Sequence, residues 1–157
     1  MIFTFLTTAL IIFIFSNSLK NAEDSSASSG FFTALINSFI SSLGFKFQLS
    51  HDFVRTFAHF SEFGLLGVMS MLMYLSFFAV KAKTMIISVC TFSLTALIDE
   101  CFQLFSDGRA FQFSDIAVDI SGGLLGAVVV FLVAMLIYSK NIKVQRRKCN
   151  GESNEEE

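Results

Sequence analysis

The residues of this chain that could do chemistry fall into three short clusters separated by long apolar runs. Arg55, His59 and Glu62 stand at i, i+4 and i+7, so on a helix they share one face. Asp99, Glu100 and Gln103 form the second cluster, with Glu100 and Gln103 on one face. Arg109, Asp115 and Asp119 form the third, with Asp115, Asp119 and Gly122 on one face. Carboxylates beside a histidine can hold or pass a proton or gather around a divalent cation, and arginine forks suit phosphate and carboxylate. Acids are in excess, because Glu62, Asp99, Glu100, Asp115 and Asp119 face only Arg55, Arg109 and, if protonated, His59. In a desolvated pocket that surplus calls for protons, a bound cation or water.

Several of these residues also have a plainer account. Asp115 and Asp119 open a helix, where the dipole favours acids whatever the function, and Arg109 could simply pair with one of them. Asp99 is expected to face interfacial water. A histidine with no second His or Cys nearby is more often a hydrogen-bonded or titrating residue than a metal ligand. The expected catalytic set is therefore His59, Glu62, Glu100 and Arg109, the expected substrate-binding set is Arg55, Gln103, Asp115 and Asp119, and no metal ligand is assigned. Cys90 and Cys101 lie about 16 Å apart on one helix, too far for a disulfide, and with Cys149 they form no C-x-x-C pair.

The elements that must carry these clusters are membrane spans. The chain is 54% hydrophobic and 15% charged, with 21 Phe and no Pro in 157 residues, and its mean hydropathy is +0.66. That is too apolar for an ordinary soluble domain. The net charge of −2 leaves no broad basic surface, so nucleic acid is not an expected partner. Apolar runs at 2–19, 59–80, 84–105 and 116–138 each approach the roughly 20 residues that a bilayer core requires. The first is read as a retained span, because no Lys or Arg precedes it and no small-x-small site follows it. Lys20 to Gly30 is Ser-rich and charged and reads as a loop. In 31–43, Phe31, Phe32, Leu35, Ile36, Phe39, Ile40 and Leu43 recur at helical spacing opposite Thr33, Asn37, Ser38, Ser41 and Ser42. This is an amphipathic helix too short to span, suited to the membrane surface or to the mouth of the bundle. The expected fold is all-α: a four-transmembrane-helix bundle with an additional interfacial amphipathic helix in the first extracytoplasmic loop. Residues 1–144 form the membrane domain, and 145–157, with a basic head and an acidic end, a disordered cytoplasmic tail.

Lys81 and Lys83, then Lys140, Lys143, Arg146, Arg147 and Lys148, flank one set of span ends. Only Lys20, Lys46, Arg55 and Arg109 flank the other. The positive-inside rule then puts both termini in the cytoplasm and every polar cluster at the extracytoplasmic rim. Charges at such a depth raise a functional-site hypothesis by default. Gly122-x-x-x-Gly126 is expected to let the last span pack closely against a neighbour.

The run Arg55-Thr56-Phe57-Ala58-His59-Phe60-Ser61-Glu62-Phe63 resembles the R-K-x-x-H-F-x-E-[YF] signature of VanZ-like membrane proteins. Asp99-Glu100-Cys101-Phe102-Gln103-Leu104-Phe105, then Arg109, Asp115, Asp119 and Gly122, is similar to that family's D-E-x-x-Q-x-F, R, D, N and G series in order and spacing. Thr56 replaces the usual Lys, Asp119 stands where Asn is expected, and Phe15-Ser16-Asn17-Ser18 keeps the Ser but not the Gln of an F-S-x-Q run. The resemblance implies a multi-pass protein of the bacterial plasma membrane and cell envelope, in a family named for a member that gives resistance to the glycopeptide antibiotic teicoplanin.

Three functions compete. In the first, the rim binds or acts on a lipid-linked envelope precursor or surface substrate among membrane lipids. Arg55 and Arg109 would engage its phosphate or carboxylate, His59 with Glu62 or Glu100 would handle a proton, and Gln103 would orient it. In the second, the polar belt is interhelical glue in a non-enzymatic scaffold or partner-recruiting module. A transporter fits least, because between Val68 and Leu97 the charges sit only in the short turn, leaving no polar path across.

Overall fold

The computed structural model describes residues 1–107 and 111–152, without the side chains of 22–25, 28 and 144–152. It holds five helices and, among the described residues, no strand: α1 (Ile2–Ser18), α2 (Ala22–Ser42), α3 (His51–Phe77), α4 (Ala82–Gln103) and α5 (Phe113–Glu152). With no Pro in the chain, nothing forces a break inside any of them.

Three helices are long and apolar enough to cross a membrane, α3, α4 and the 113–143 stretch of α5. α1 is equally apolar but only 17 residues long. The helices turn apolar side chains outward: Leu125, Leu132, Val133 and Leu136 of α5 are all more than half exposed, as are Phe5 and Ile12 of α1. An apolar surface this continuous has no place on a soluble monomer, and the protein is a membrane protein.

α3 is the hub, packing against α1, α2, α4 and α5. It starts eight residues before the apolar run because Ser50 caps it, its side chain accepting from the Phe53 N–H at 3.2 Å. At about 1.5 Å per residue its 27 residues reach about 40 Å, more than the roughly 30 Å of a bilayer core. Arg55 and His59 are thus carried on rigid helix rather than on a loop. Phe63, Leu66 and Met71 of α3, Ile14 of α1, Phe92 and Ala96 of α4 and Ala127 of α5 fill the interior.

The α3–α5 contact is backbone on backbone. A methyl group on Gly67 would strike the Gly123 backbone, one on Gly122 the Phe60 carbonyl, and one on Gly126 the Gly64 carbonyl. The close approach expected of Gly122-x-x-x-Gly126 is present, and its partner is the Phe60–Gly67 stretch of α3. On the α4 side, polar links replace close approach: Ser70 Oγ meets Ser88 Oγ at 2.7 Å and Tyr74 OH meets Thr91 Oγ1 at 2.8 Å.

Two expectations change. The helix expected at 31–43 begins at Ala22, so most of the expected Lys20–Gly30 loop is helical. Ser and Gly disfavour a helix by only about 0.5–1 kcal/mol each and are no hard stop. Its end lies where the pattern put it. Gly44 adopts φ +84°, the Gly44 N–H bonds Ser41 O and the Phe45 N–H bonds Ile40 O, the paired bonds of a Schellman stop. Asn37 then clamps the following loop, donating to Leu49 O at 3.1 Å and accepting from Leu49 N at 2.8 Å. At the other end of the chain, α5 continues to Glu152, so the first part of the expected tail is helical backbone, and 153–157 lie outside the described residues.

Candidate functional site

The α3–α5 contact sets the geometry of the site. Asp119 lies one turn before Gly122 on α5 and His59 directly before Phe60 on α3, so the approach of those two backbones brings the side chains together. His59 Nδ1 faces Asp119 Oδ1 at 3.6 Å, with the Asp119 side chain 1% exposed and that of His59 18%. About one turn earlier on the same flank, Arg55 Nη2 lies 3.8 Å from Asp115 Oδ2. The i, i+4 spacing on α3 is matched by the i, i+4 spacing on α5, and the two pairs stack along the seam.

α4 contributes the most buried polar groups. Asp99, Glu100 and Gln103 are each 1% exposed. Asp99 was expected to meet interfacial water and instead lies inside the bundle: its carboxylate accepts from Ser18 Oγ at the end of α1 and from Gln103 Nε2 at 3.2 Å. Ser106 Oγ in turn donates to the Ser18 carbonyl at 2.8 Å, tying the end of α1 to the segment after α4. Glu100 Oε1 accepts from the Gln112 N–H and so holds the entry to α5.

Two cavities open on this rim. One, of about 400 Å³, is lined by Asn17 and Ser18 of α1 and Lys20 just after it, by Ser29 and Phe32 of α2, by Arg55, His59 and Glu62 of α3 and by Asp99 of α4. The other, of about 300 Å³, is lined by Asp52, Arg55, Thr56 and His59 of α3 and by Gln112 and Asp115. Arg55 and His59 border both. The single face predicted for Arg55, His59 and Glu62 is real, and all three line the first cavity. Asp115 lines the second. Glu100 and Gln103 line neither and hold other groups in place, and Asp119 sits behind His59. Arg109 lies outside the described residues.

Ser18, Asn17, Lys20, Asp99 and Gln112 belong to the site without having been expected there. For Asp99 a signal existed, since it stands four residues before Gln103 and shares its face. For Ser18 the signal was weaker: it occupies the place of the Gln in the F-S-x-Q run.

Three buried atoms make no hydrogen bond among the described residues: His59 Nδ1, Asp119 Oδ1 and Glu100 Oε2. Native interiors leave few such atoms, and each calls for an explanation such as an ordered water, an ion or a role in chemistry.

A family model described as VanZ/LLP1 matches residues 3–136, which takes in all but the first residue of α1, the whole of α2, α3 and α4, every residue of both cavities and α5 as far as residue 136. The chain belongs to the VanZ/LLP1 family. The matched region begins in α1, so the contribution of α1 and the residue just after its cap to the site, Asn17, Ser18 and Lys20, falls within the VanZ/LLP1 unit. No curated protein and no solved structure matches the chain.

Proposed function

We propose that this VanZ/LLP1 protein is a multi-pass component of the bacterial plasma membrane whose extracytoplasmic rim binds the anionic head group of a lipid-linked or surface-exposed envelope substrate. One observation carries the reading: a 400 Å³ cavity at one end of the bundle, lined by Arg55, Lys20, His59, Glu62 and Asp99. Four elements converge there: the end of α1 with Lys20, α2 through Ser29 and Phe32, α3 and α4. Arg55 and Lys20 supply the charge that suits phosphate or carboxylate, and His59 is in position to exchange a proton with a bound group. Gln103, donating to Asp99, orients that carboxylate rather than the ligand.

In this reading α1 is a fourth span, α2 lies at the interface with Phe31, Leu35, Phe39 and Leu43, all more than half exposed, directed to lipid while its Phe32 borders the cavity, and both termini are cytoplasmic. The cavity would then open beside the outer leaflet, where a polyprenyl-linked head group resides, and glycopeptide resistance of the teicoplanin type would follow from handling that substrate. The experiment is polyprenyl phosphate binding by the purified protein in detergent. Arg55→Ala is expected to weaken binding about ten- to hundredfold, the loss of one charge-assisted hydrogen bond. His59→Ala, Glu100→Ala and Arg109→Ala are expected to lower any glycopeptide protection at matched abundance. Binding and protection that survive all four substitutions would overturn the reading.

A second reading, the non-enzymatic scaffold, is favoured by the Ser70–Ser88 and Tyr74–Thr91 links, which join helices away from both rim cavities. It predicts that rim substitutions reduce detergent stability before they alter any phenotype.

A further inference from the structure

His59 of α3, Asp99 of α4 and Asp119 of α5 each offer one ligand atom, and the three atoms lie within 4.8 Å of one another. Two of the three residues are about 99% buried. Asp119 Oδ1 and His59 Nδ1 face each other at 3.6 Å, too far for a hydrogen bond, and neither atom has another hydrogen-bond partner among the described residues. Two buried polar atoms turned toward each other across such a gap are arranged as two ligands around a shared centre. Atoms bound to one zinc ion at about 2.1 Å in a tetrahedral set stand about 3.4 Å apart, so the His59–Asp119 pair already stands near ligand spacing, and closing the set, which spans up to 4.8 Å, takes a side-chain shift of about an ångström.

We propose that these three residues bind one divalent transition-metal ion, Zn²⁺ or Mn²⁺. An imidazole nitrogen with two carboxylate oxygens suits first-row metals, whereas Mg²⁺ and Ca²⁺ favour all-oxygen sets. The ligand types fit: an imidazole with two carboxylates is a donor set that a dication accepts, and Asp119 Oδ1 is buried with no hydrogen-bond partner among the described residues. The surroundings fit as well, since ligating carboxylates are themselves held by hydrogen bonds, and Ser18 and Gln103 hold Asp99. His59 and Asp99 line the 400 Å³ cavity together with Glu62, so the open coordination positions face that space. This extends the proposed head-group site and rests on that reading for its purpose, a metal there adding a Lewis-acidic contact for an anionic ligand.

The test is direct titration of the chelator-treated full-length protein in detergent with ZnCl₂, MnCl₂ and MgCl₂ by calorimetry, with bound metal counted by mass spectrometry after dialysis. One Zn²⁺ or Mn²⁺ per chain is expected, with Mg²⁺ bound at least about tenfold more weakly. Asp119→Asn and His59→Gln should abolish retention, and Ser18→Ala, which keeps all three ligands, should weaken it about ten- to hundredfold. Asp107→Asn, on an exposed residue outside the cluster, should change nothing. No retained ion in the unmodified protein, or retention undisturbed by Asp119→Asn, overturns the proposal. Should Asp119→Asn fail to fold, equal affinity in the unmodified protein and Ser18→Ala overturns it. Polyprenyl phosphate binding measured with and without chelator separates the two claims: binding indifferent to chelator defeats the metal and keeps the head-group site, and retained metal without lipid binding does the reverse.

Discussion

A carboxylate inside an apolar bundle persists only where donors answer its charge, and Asp99 is answered by the Ser18 hydroxyl and the Gln103 amide. A hydrogen bond to a buried charge contributes about 1.5–3 kcal/mol. Ser18→Ala is therefore expected to lower unfolding free energy in detergent by that amount, and Ser18→Thr, which keeps a hydroxyl, to restore most of it. Equal stability of the alanine variant and the parent would show that Ser18 does not support Asp99. At this scale spacing made much of the site legible. Arg55, His59 and Glu62 share a face because i, i+4 and i+7 do so on any helix, and all three reach one cavity. What spacing could not carry is the contact of Ser18 with Asp99 across 81 positions of sequence, which only packing of α1 against α4 creates. Asp99 was misjudged for that reason. Its position at a span end suggested water, and its partner lay on another element.

Between elements, the glycines act as spacers whose value depends on what faces them. A methyl group on Gly67 would meet the Gly123 backbone and one on Gly126 the Gly64 carbonyl, whereas at Gly64 the nearest atom would be Gly122 O at 3.6 Å, ordinary contact, and at Gly30 nothing lies within 4 Å. Backbone cannot yield as a flexible side chain can. Gly67→Ala and Gly126→Ala are expected to destabilise by about 1–3 kcal/mol or more. Gly64→Ala should be close to neutral, and Gly30→Ala should stabilise α2 by about 0.5–1 kcal/mol. Thermal unfolding of the four variants in one detergent checks the ranking, and a Gly67→Ala protein as stable as Gly64→Ala would contradict the α3–α5 geometry. Because Asp119 and His59 flank this contact, Gly67→Ala should also perturb the rim. The Gly122-x-x-x-Gly126 spacing announced a close neighbour without naming it, since the answering Gly64 and Gly67 follow a three-residue interval with no motif of its own. The start of α2 was hidden differently: serine and charge look like loop, yet α2 begins at Ala22 and its exact end was legible in Gly44, the residue able to take φ +84°.

For the whole molecule the open quantity is the number of crossings, and α1 decides it. Its 17 residues extend about 26 Å at 1.5 Å per residue, slightly less than a roughly 30 Å core, a mismatch that local thinning accommodates for fractions of a kcal/mol per ångström. α1 packs against both α3 and α4, and its last turn delivers Ser18 to the same rim as His59 and Asp99. If α1 crosses, as the four-span proposal has it, its C-terminal end stands at that rim and its N-terminal end near the other face. Four crossings put residue 2 and residue 149 on one side and the loop containing Lys46 on the other, while three crossings put residue 2 and residue 46 together. Labelling with a membrane-impermeant maleimide separates the two in a background carrying Cys90→Ser and Cys101→Ser, which removes the two exposed helix thiols. With four crossings Lys46→Cys reacts in intact cells, whereas Ile2→Cys and the native Cys149 react only after permeabilisation. Reaction of Ile2→Cys and Lys46→Cys together in intact cells would leave α1 at the surface, and the rim site would then have to be rebuilt on α3, α4 and α5 alone.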